Sequence, residues 1–161
     1  MKILKNIKGN DDHHFLFLFN RLALHKKMMH INEIKQGNYF IVEFGGDEKF
    51  GIVTDVNKPN HQVCLDNGVQ AFWYEFDQLK PLQLNEKTLL QLKFSKQNNQ
   101  DGTIKYSKGA FRVLIPKEGD FSKMEIWYRD EHRHIFKQIF VHELQNHFQS
   151  MTKVELNSIE Y

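Results

Sequence analysis

Tyr39-Phe40-Ile41-Val42-Glu43-Phe44, Gly45-Gly46-Asp47 and Phe50-Gly51-Ile52-Val53-Thr54-Asp55-Val56 follow one another closely, and this stretch decides how the chain folds. Two runs rich in β-branched and aromatic residues flank a Gly-Gly pair, the chemistry of a tight hairpin. Phe40, Val42 and Phe44 alternate onto one strand face. Phe50, Ile52 and Val56 form another, interrupted by polar Thr54.

Toward the C-terminus the pattern continues. Asn57-Lys58-Pro59-Asn60 is a turn, residues 61–65 a third strand with Val63 and Leu65 on one face, Asp66-Asn67-Gly68 a strong hairpin turn, and residues 69–76 a fourth strand. Strands this short, joined by tight turns over about 45 residues, suit a small, strongly bent antiparallel sheet or barrel. Pro81 closes the unit, because it cannot donate to a ladder and holds Lys80 extended. Asn85 then reads as an N-cap, with Glu86 in the first turn and Leu89, Leu90 and Leu92 in a short helix. Residues 95–102, rich in Asn and Gln, read as a loop. Strands are expected at 103–106, 111–115, 124–128 and 134–136. Residues 139–152 form the best helix, with Phe140, Leu144, Phe148 and Met151 on one stripe, and 154–156 is a candidate edge strand.

The expected fold is therefore α+β. A small SH3-like antiparallel β-barrel unit (29–82) is followed by a compact antiparallel sheet with two short helices (83–161), after an N-terminal extension (1–28). The extension opens with spaced lysines and an Asp11-Asp12-His13-His14 cluster before Phe15-Leu16-Phe17-Leu18-Phe19. Acids ahead of the apolar run, Asn20-Arg21 within it and His25-Lys26-Lys27 after it do not make a cleavable signal. The run is also too short to cross a bilayer, and no membrane is expected as a partner. Two readings stand: the natural chain begins at Met28 or Met29, or the extension is a short helix packed on the core.

The chain's 161 residues, 40% of them hydrophobic and 26% charged, are enough for a substantial core. The only cysteine, Cys64, rules out an internal disulfide framework and fits a reducing, cytoplasmic setting. The net charge of +2 is unevenly spread. Residues 1–28 carry six Lys and Arg against two acids (+4), residues 29–80 four against eight (−4), and residues 81–161 twelve against ten (+2). The mild basicity thus belongs to the extension, and an acidic barrel-like unit speaks against nucleic acid.

Several blocks resemble a group of short, uncharacterised proteins from Bacteroidetes genomes and their phages or mobile elements. Ile31-Asn32-Glu33-Ile34-Lys35-Gln36-Gly37-Asn38-Tyr39 is similar to their opening motif, and Val63-Cys64-Leu65-Asp66-Asn67-Gly68 to their second hairpin. Leu79-Lys80-Pro81-Leu82-Gln83-Leu84-Asn85-Glu86 and Val141-His142-Glu143-Leu144-Gln145-Asn146 are similar to a central segment and to the closing helix. Lys153 stands where the group has a glycine. The resemblance spans about residues 29–157 and implies fold and origin; no activity or catalytic residue is attached to the group.

The polar clusters point weakly to chemistry. His142 and His147, five residues apart, lie about 140° apart around a helix and cannot chelate one ion together, whereas His132 and His134, on one strand face, are able to pair with either. The alternative is a helix on the sheet, with His142, Gln145 and Asn146 bonded to nearby backbone and His147 exposed. Phe72-Trp73-Tyr74 with Phe76 is a candidate stacking platform, but alternation sends Trp73 to one face and Phe72, Tyr74 and Phe76 to the other. Trp127 beside Tyr128 invites the same reading. No phosphate-binding glycine loop or nucleophile context is present, so no cofactor is expected and an enzyme is the less supported class. The expectation is a non-catalytic accessory protein of phage or mobile-element type that binds another protein, with Trp73, Tyr74 and Trp127 as candidate contacts. A nucleic-acid-binding barrel and a metal-dependent enzyme built on the histidines are the alternatives.

Overall fold

The computed structural model describes residues 29–157. The readings of residues 1–28 lie outside the described residues. From Ile31 on, the described residues belong to one unit, with two five-stranded antiparallel sheets.

The first sheet holds β1 (Tyr39–Phe44), β2 (Asp47–Asn57), β3 (Gln62–Asp66), β4 (Ala71–Glu75) and β5 (Lys80–Pro81), ordered β4-β3-β2-β1-β5. Gly45 and Gly46 both have positive φ (64° and 87°), and Phe44 pairs with Asp47, so the decisive hairpin closes in two residues. Between Val53 and Asp55 the register with β3 shifts, leaving Thr54 as an extra residue. This bulge explains the polar interruption and corrects the face assignment, because it reverses the alternation. Val56 pairs with Val63 and Val53 with Leu65, so Val56 lies with Val53 and not with Phe50 and Ile52. Leu65 packs over Gly51, where an added Cβ would come within 2.9 Å of its Cδ2. β4 and β5 are the two edges of this sheet, and no closed barrel forms among the described residues.

The second sheet contains β6 (Ser95–Asn98), β7 (Ile104–Lys108), β8 (Phe111–Ile115), β9 (Met124–Tyr128) and β10 (Glu131–Ile135), paired in sequence order. The stretch 95–102, read as a loop from its composition, opens with strand β6. Its Ser-Lys-Gln-Asn composition is that of a polar edge strand, with no apolar alternation to reveal it. Helix α1 (Glu86–Gln91) begins where expected: Asn85 Oδ1 accepts from Thr88 N–H and Thr88 Oγ1 from Asn85 N–H. Tyr106 Oη and Lys96 Nζ donate to the Glu86 carboxylate at 2.7 and 2.8 Å and fix α1 to the second sheet.

Helix α2 (Val141–Thr152) lays Leu144, Phe148 and Met151 into a core with Leu84, Leu89, Tyr106, Phe111, Val113 and Ile126. Tyr39 belongs to this core, and Ile41, Phe50 and Ile52 pack against it. Phe40, Val42, Val53, Val63 and Leu65 are also buried but outside that cluster. Residues 154–156 return without becoming a strand, and Leu156 is buried.

Lys153 ends α2 in the left-handed conformation (φ 63°, ψ 15°), the position glycine favours. Replacing it removes the Cβ strain, partly offset by a more flexible unfolded chain. Lys153→Gly is expected to raise unfolding free energy by roughly 0.5–1 kcal/mol. Urea denaturation at constant m-value checks this, and no gain would mean that the Lys153 Nζ bond to Ser150 C=O, 2.7 Å long, compensates.

Candidate functional site

The opening and closing blocks meet in space. Gln145 Nε2 donates to Gly37 C=O (2.8 Å) and Leu156 C=O (3.1 Å), while its Oε1 accepts from Tyr39 N–H (2.9 Å). Asn146 Nδ2 donates to Glu33 C=O (2.7 Å), and its Oδ1 accepts from Asn38 Nδ2 (3.2 Å). Gly37 supplies the positive φ (84°) that presents this turn. Glu143 accepts from Phe140 N–H and Lys137 Nζ at the start of α2. These side chains clamp the first sheet and the C-terminal segment to α2, a structural role.

His142 and His147 depart from their expected settings. His142 is 1% exposed, its ring tilted against Phe40 (centroids 4.9 Å apart) and stacked on Phe140 (5.9 Å), and among the described residues its Nδ1 has no hydrogen-bond partner. Burial pushes its pKa down to about 4. His147 is half-buried rather than exposed, with Nδ1 3.1 Å from an Arg133 guanidinium nitrogen. Burial first, and that guanidinium second, lower its pKa.

The pairing of His132 or His134 with the helix histidines is not made. Arg133 reaches α2 at His147 and Ser150, so alternation turns His132 and His134 to the opposite face of the second sheet. Among the described residues no group of three His, Cys, Asp or Glu is arranged to hold a metal ion.

That outer face carries Trp127. The indole stacks on His132 (4.6 Å, 18° between planes), Arg112 covers it with Cζ 5.9 Å from the ring centroid, and its Nε1 donates to Glu125 (2.9 Å). His132 meets His134 edge-on and His134 stacks on exposed Phe136, beside a recess of about 350 Å³ lined in part by Leu114, Lys123 and Glu125. Most of the Trp127 surface is thus used within the sheet.

Trp73 and Tyr74 separate as alternation requires. Tyr74 is 8% exposed and its Oη accepts from Asn67 Nδ2 at 3.4 Å, so it is a core residue. Trp73, on the opposite face of edge strand β4, is 49% exposed. Phe72, on the face shared with Tyr74, and Val69, in the turn before β4, are exposed as well, and Phe72 packs on Phe44 with centroids 5.2 Å apart. Sequence reading found Trp73 but missed that β4 is an edge, because strand order is set by partners distant in the chain. Among the described residues no helix is long and apolar enough to cross a membrane. Comparison with protein-family models, curated proteins and solved structures gives no match to this chain.

Proposed function

We propose that the chain is a non-catalytic accessory protein that acts by binding another protein, and that its contact site is the β4 edge of the first sheet. One observation carries this reading. Among the described residues six large apolar side chains stand exposed, and three of them, Val69, Phe72 and Trp73, lie on β4 or in the turn leading into it. Single exposed apolar residues are ordinary, whereas three within five residues along one open strand edge, a tryptophan among them, have the composition of a contact surface.

Two further elements belong to the proposal. The first unit is read as SH3-like, supported by its meander, the 3₁₀ turn Phe76–Gln78 before β5, and the return of β5 to pair with β1. Membership in the Bacteroidetes and phage-associated group rests on the resemblance of the Gly37-Asn38-Tyr39 and Gln145-Asn146 blocks to that group's motifs, and a cytoplasmic setting on the single cysteine, Cys64. Trp73→Ala is expected to leave stability within about 0.5 kcal/mol and to abolish retention of a host protein in affinity capture. Capture of the same proteins by parent and variant would sink the reading.

A second reading, single-stranded nucleic acid on the outer face of the second sheet, is favoured by the Arg112, Trp127 and His132 stack. It requires salt-sensitive binding of labelled single-stranded DNA that Trp127→Ala weakens at least tenfold, about 1.4 kcal/mol. No binding at low salt would remove it.

A further inference from the structure

We infer that β4 takes up one extended polypeptide segment as an added strand, and that this segment carries a basic side chain at each end and an apolar one between them. The inference rests on the reading of β4 as the contact site and specifies the partner's chemistry.

The backbone comes first. Phe76 N–H donates to His61 C=O (2.9 Å) and Asn67 N–H to Gln70 C=O (3.3 Å), at the two ends of the β3–β4 ladder. Between them Tyr74 opposes Val63 and Phe72 opposes Leu65. In an antiparallel pair hydrogen-bonded residues alternate with non-bonded ones. Phe72 and Tyr74 therefore turn their backbone groups toward β3, while Ala71, Trp73 and Glu75 turn theirs to the open side. Gln78 Oε1 already accepts from Glu75 N–H (2.9 Å). The N–H and C=O of Ala71 and Trp73 remain as a two-residue template for another strand, and strand addition uses such groups.

The side chains then select the guest. Ala71, Trp73 and Glu75 alternate onto one face, with the indole in the middle. Glu75 stands at one end, and at the other Asp66 lies directly across from Ala71, whose short side chain leaves that carboxylate within reach of a long guest residue. The two ends are four residues apart, about 13 Å. Neither carboxylate has a cation partner among the described residues. Glu75 accepts from Gln62 Nε2 (2.8 Å) and Asp66 from Gly68 N–H (2.9 Å). Residues 29–80 as a whole carry −4. A guest with Lys or Arg at its first and fifth positions and an apolar residue at its third matches this arrangement. A second copy of β4 would bring carboxylates against carboxylates, and is disfavoured for that reason.

The test uses the full chain and two capped heptapeptides, Thr-Lys-Thr-Val-Thr-Lys-Thr and its counterpart with Glu for Lys, titrated by calorimetry and by amide NMR. The basic peptide is expected to bind and to shift the amide signals of Ala71 and Trp73. Its affinity is expected to fall at least tenfold in Ala71→Pro, which removes an outward N–H and no ladder bond to β3, and likewise in the Asp66→Asn, Glu75→Gln double variant. The NMR shifts in the parent keep the question open to refutation should Ala71→Pro not fold. If the acidic peptide binds equally well with the same sensitivity to Ala71→Pro, the partner chemistry is wrong while the contact site stands. If neither peptide moves the signals of residues 71–75, strand addition at β4 is wrong. Dimerisation lost in Ala71→Pro would make the occupant a second copy and overturn the inference.

Discussion

Gln145→Met is expected to cost about 3–5 kcal/mol of unfolding free energy, a large share of what holds a domain of this size together. The thioether matches the length and volume of the side chain but makes none of its bonds. Three backbone groups lose their partner at once: Tyr39 N–H, Gly37 C=O and Leu156 C=O, each bonded to Gln145 at 2.8–3.1 Å. Leaving a buried polar group unpaired costs about 1–3 kcal/mol, and partial relaxation or water entry keeps the total below a simple sum. Gln145→Glu separates hydrogen bonding from packing, because a carboxylate still accepts from Tyr39 N–H but places negative oxygen against two carbonyls. It is expected to lose at least as much as Gln145→Met at neutral pH. Urea midpoints of the three proteins at pH 7.5 give the comparison. A loss below 1 kcal/mol in Gln145→Met would mean that the clamp joining the first sheet to α2 is not where its stability lies.

That clamp also marks what a sequence reader can and cannot see. The Gly45-Gly46 hairpin and the Asn85 cap are legible because each is decided within a few residues by φ preference or a local hydrogen bond. Two of the three partners of Gln145 lie more than a hundred positions away, at Gly37 and Tyr39, and nothing in local periodicity connects them. The bulge at Thr54 was visible only as a polar residue out of place, and its effect on Val56 needed the register with β3. β6 escaped because an exposed polar edge strand has no apolar period to detect. For the contact site, alternation already set Trp73 and Tyr74 on opposite faces. Which of the two aromatics faced solvent depended on Tyr74 pairing with Val63 in a strand whose far side is open.

Acidification is expected to destabilise the fold mainly through His142, by about 3 kcal/mol between pH 6.5 and 4. Its imidazole lies between Phe40 and Phe140, 1% exposed, and burial holds its pKa near 4; Glu143 opposes that shift and Lys137 adds to it. In the unfolded chain the same group titrates near 6.5. Between these values the unfolded state binds a proton that the folded state refuses, so unfolding free energy decreases as pH falls, by about 1.4 kcal/mol per pH unit. The contribution is fully present above pH 6.5 and lost below about pH 4. His147, also shifted down by burial and by Arg133, changes in the same direction. His142→Phe keeps an aromatic ring against Phe40 and Phe140 and gives up no bond at Nδ1, which has none among the described residues. It is therefore expected to stay within about 1 kcal/mol of the parent at pH 7.5 and to flatten most of the slope between pH 6.5 and 4. Urea melts at half-unit pH intervals distinguish the two proteins. An unchanged slope in His142→Phe would shift the acid sensitivity between pH 6.5 and 4 to His147; the carboxylates held below their ordinary range, Glu86 by Lys96 first and Tyr106 second, Asp101 by Thr103 and Asp120 by Ser122, act in a different window. Those carboxylates separate from His142 by pH: a group with a depressed carboxylate pKa keeps its contribution above about pH 4 and loses it only at lower pH, after the His142 term is gone.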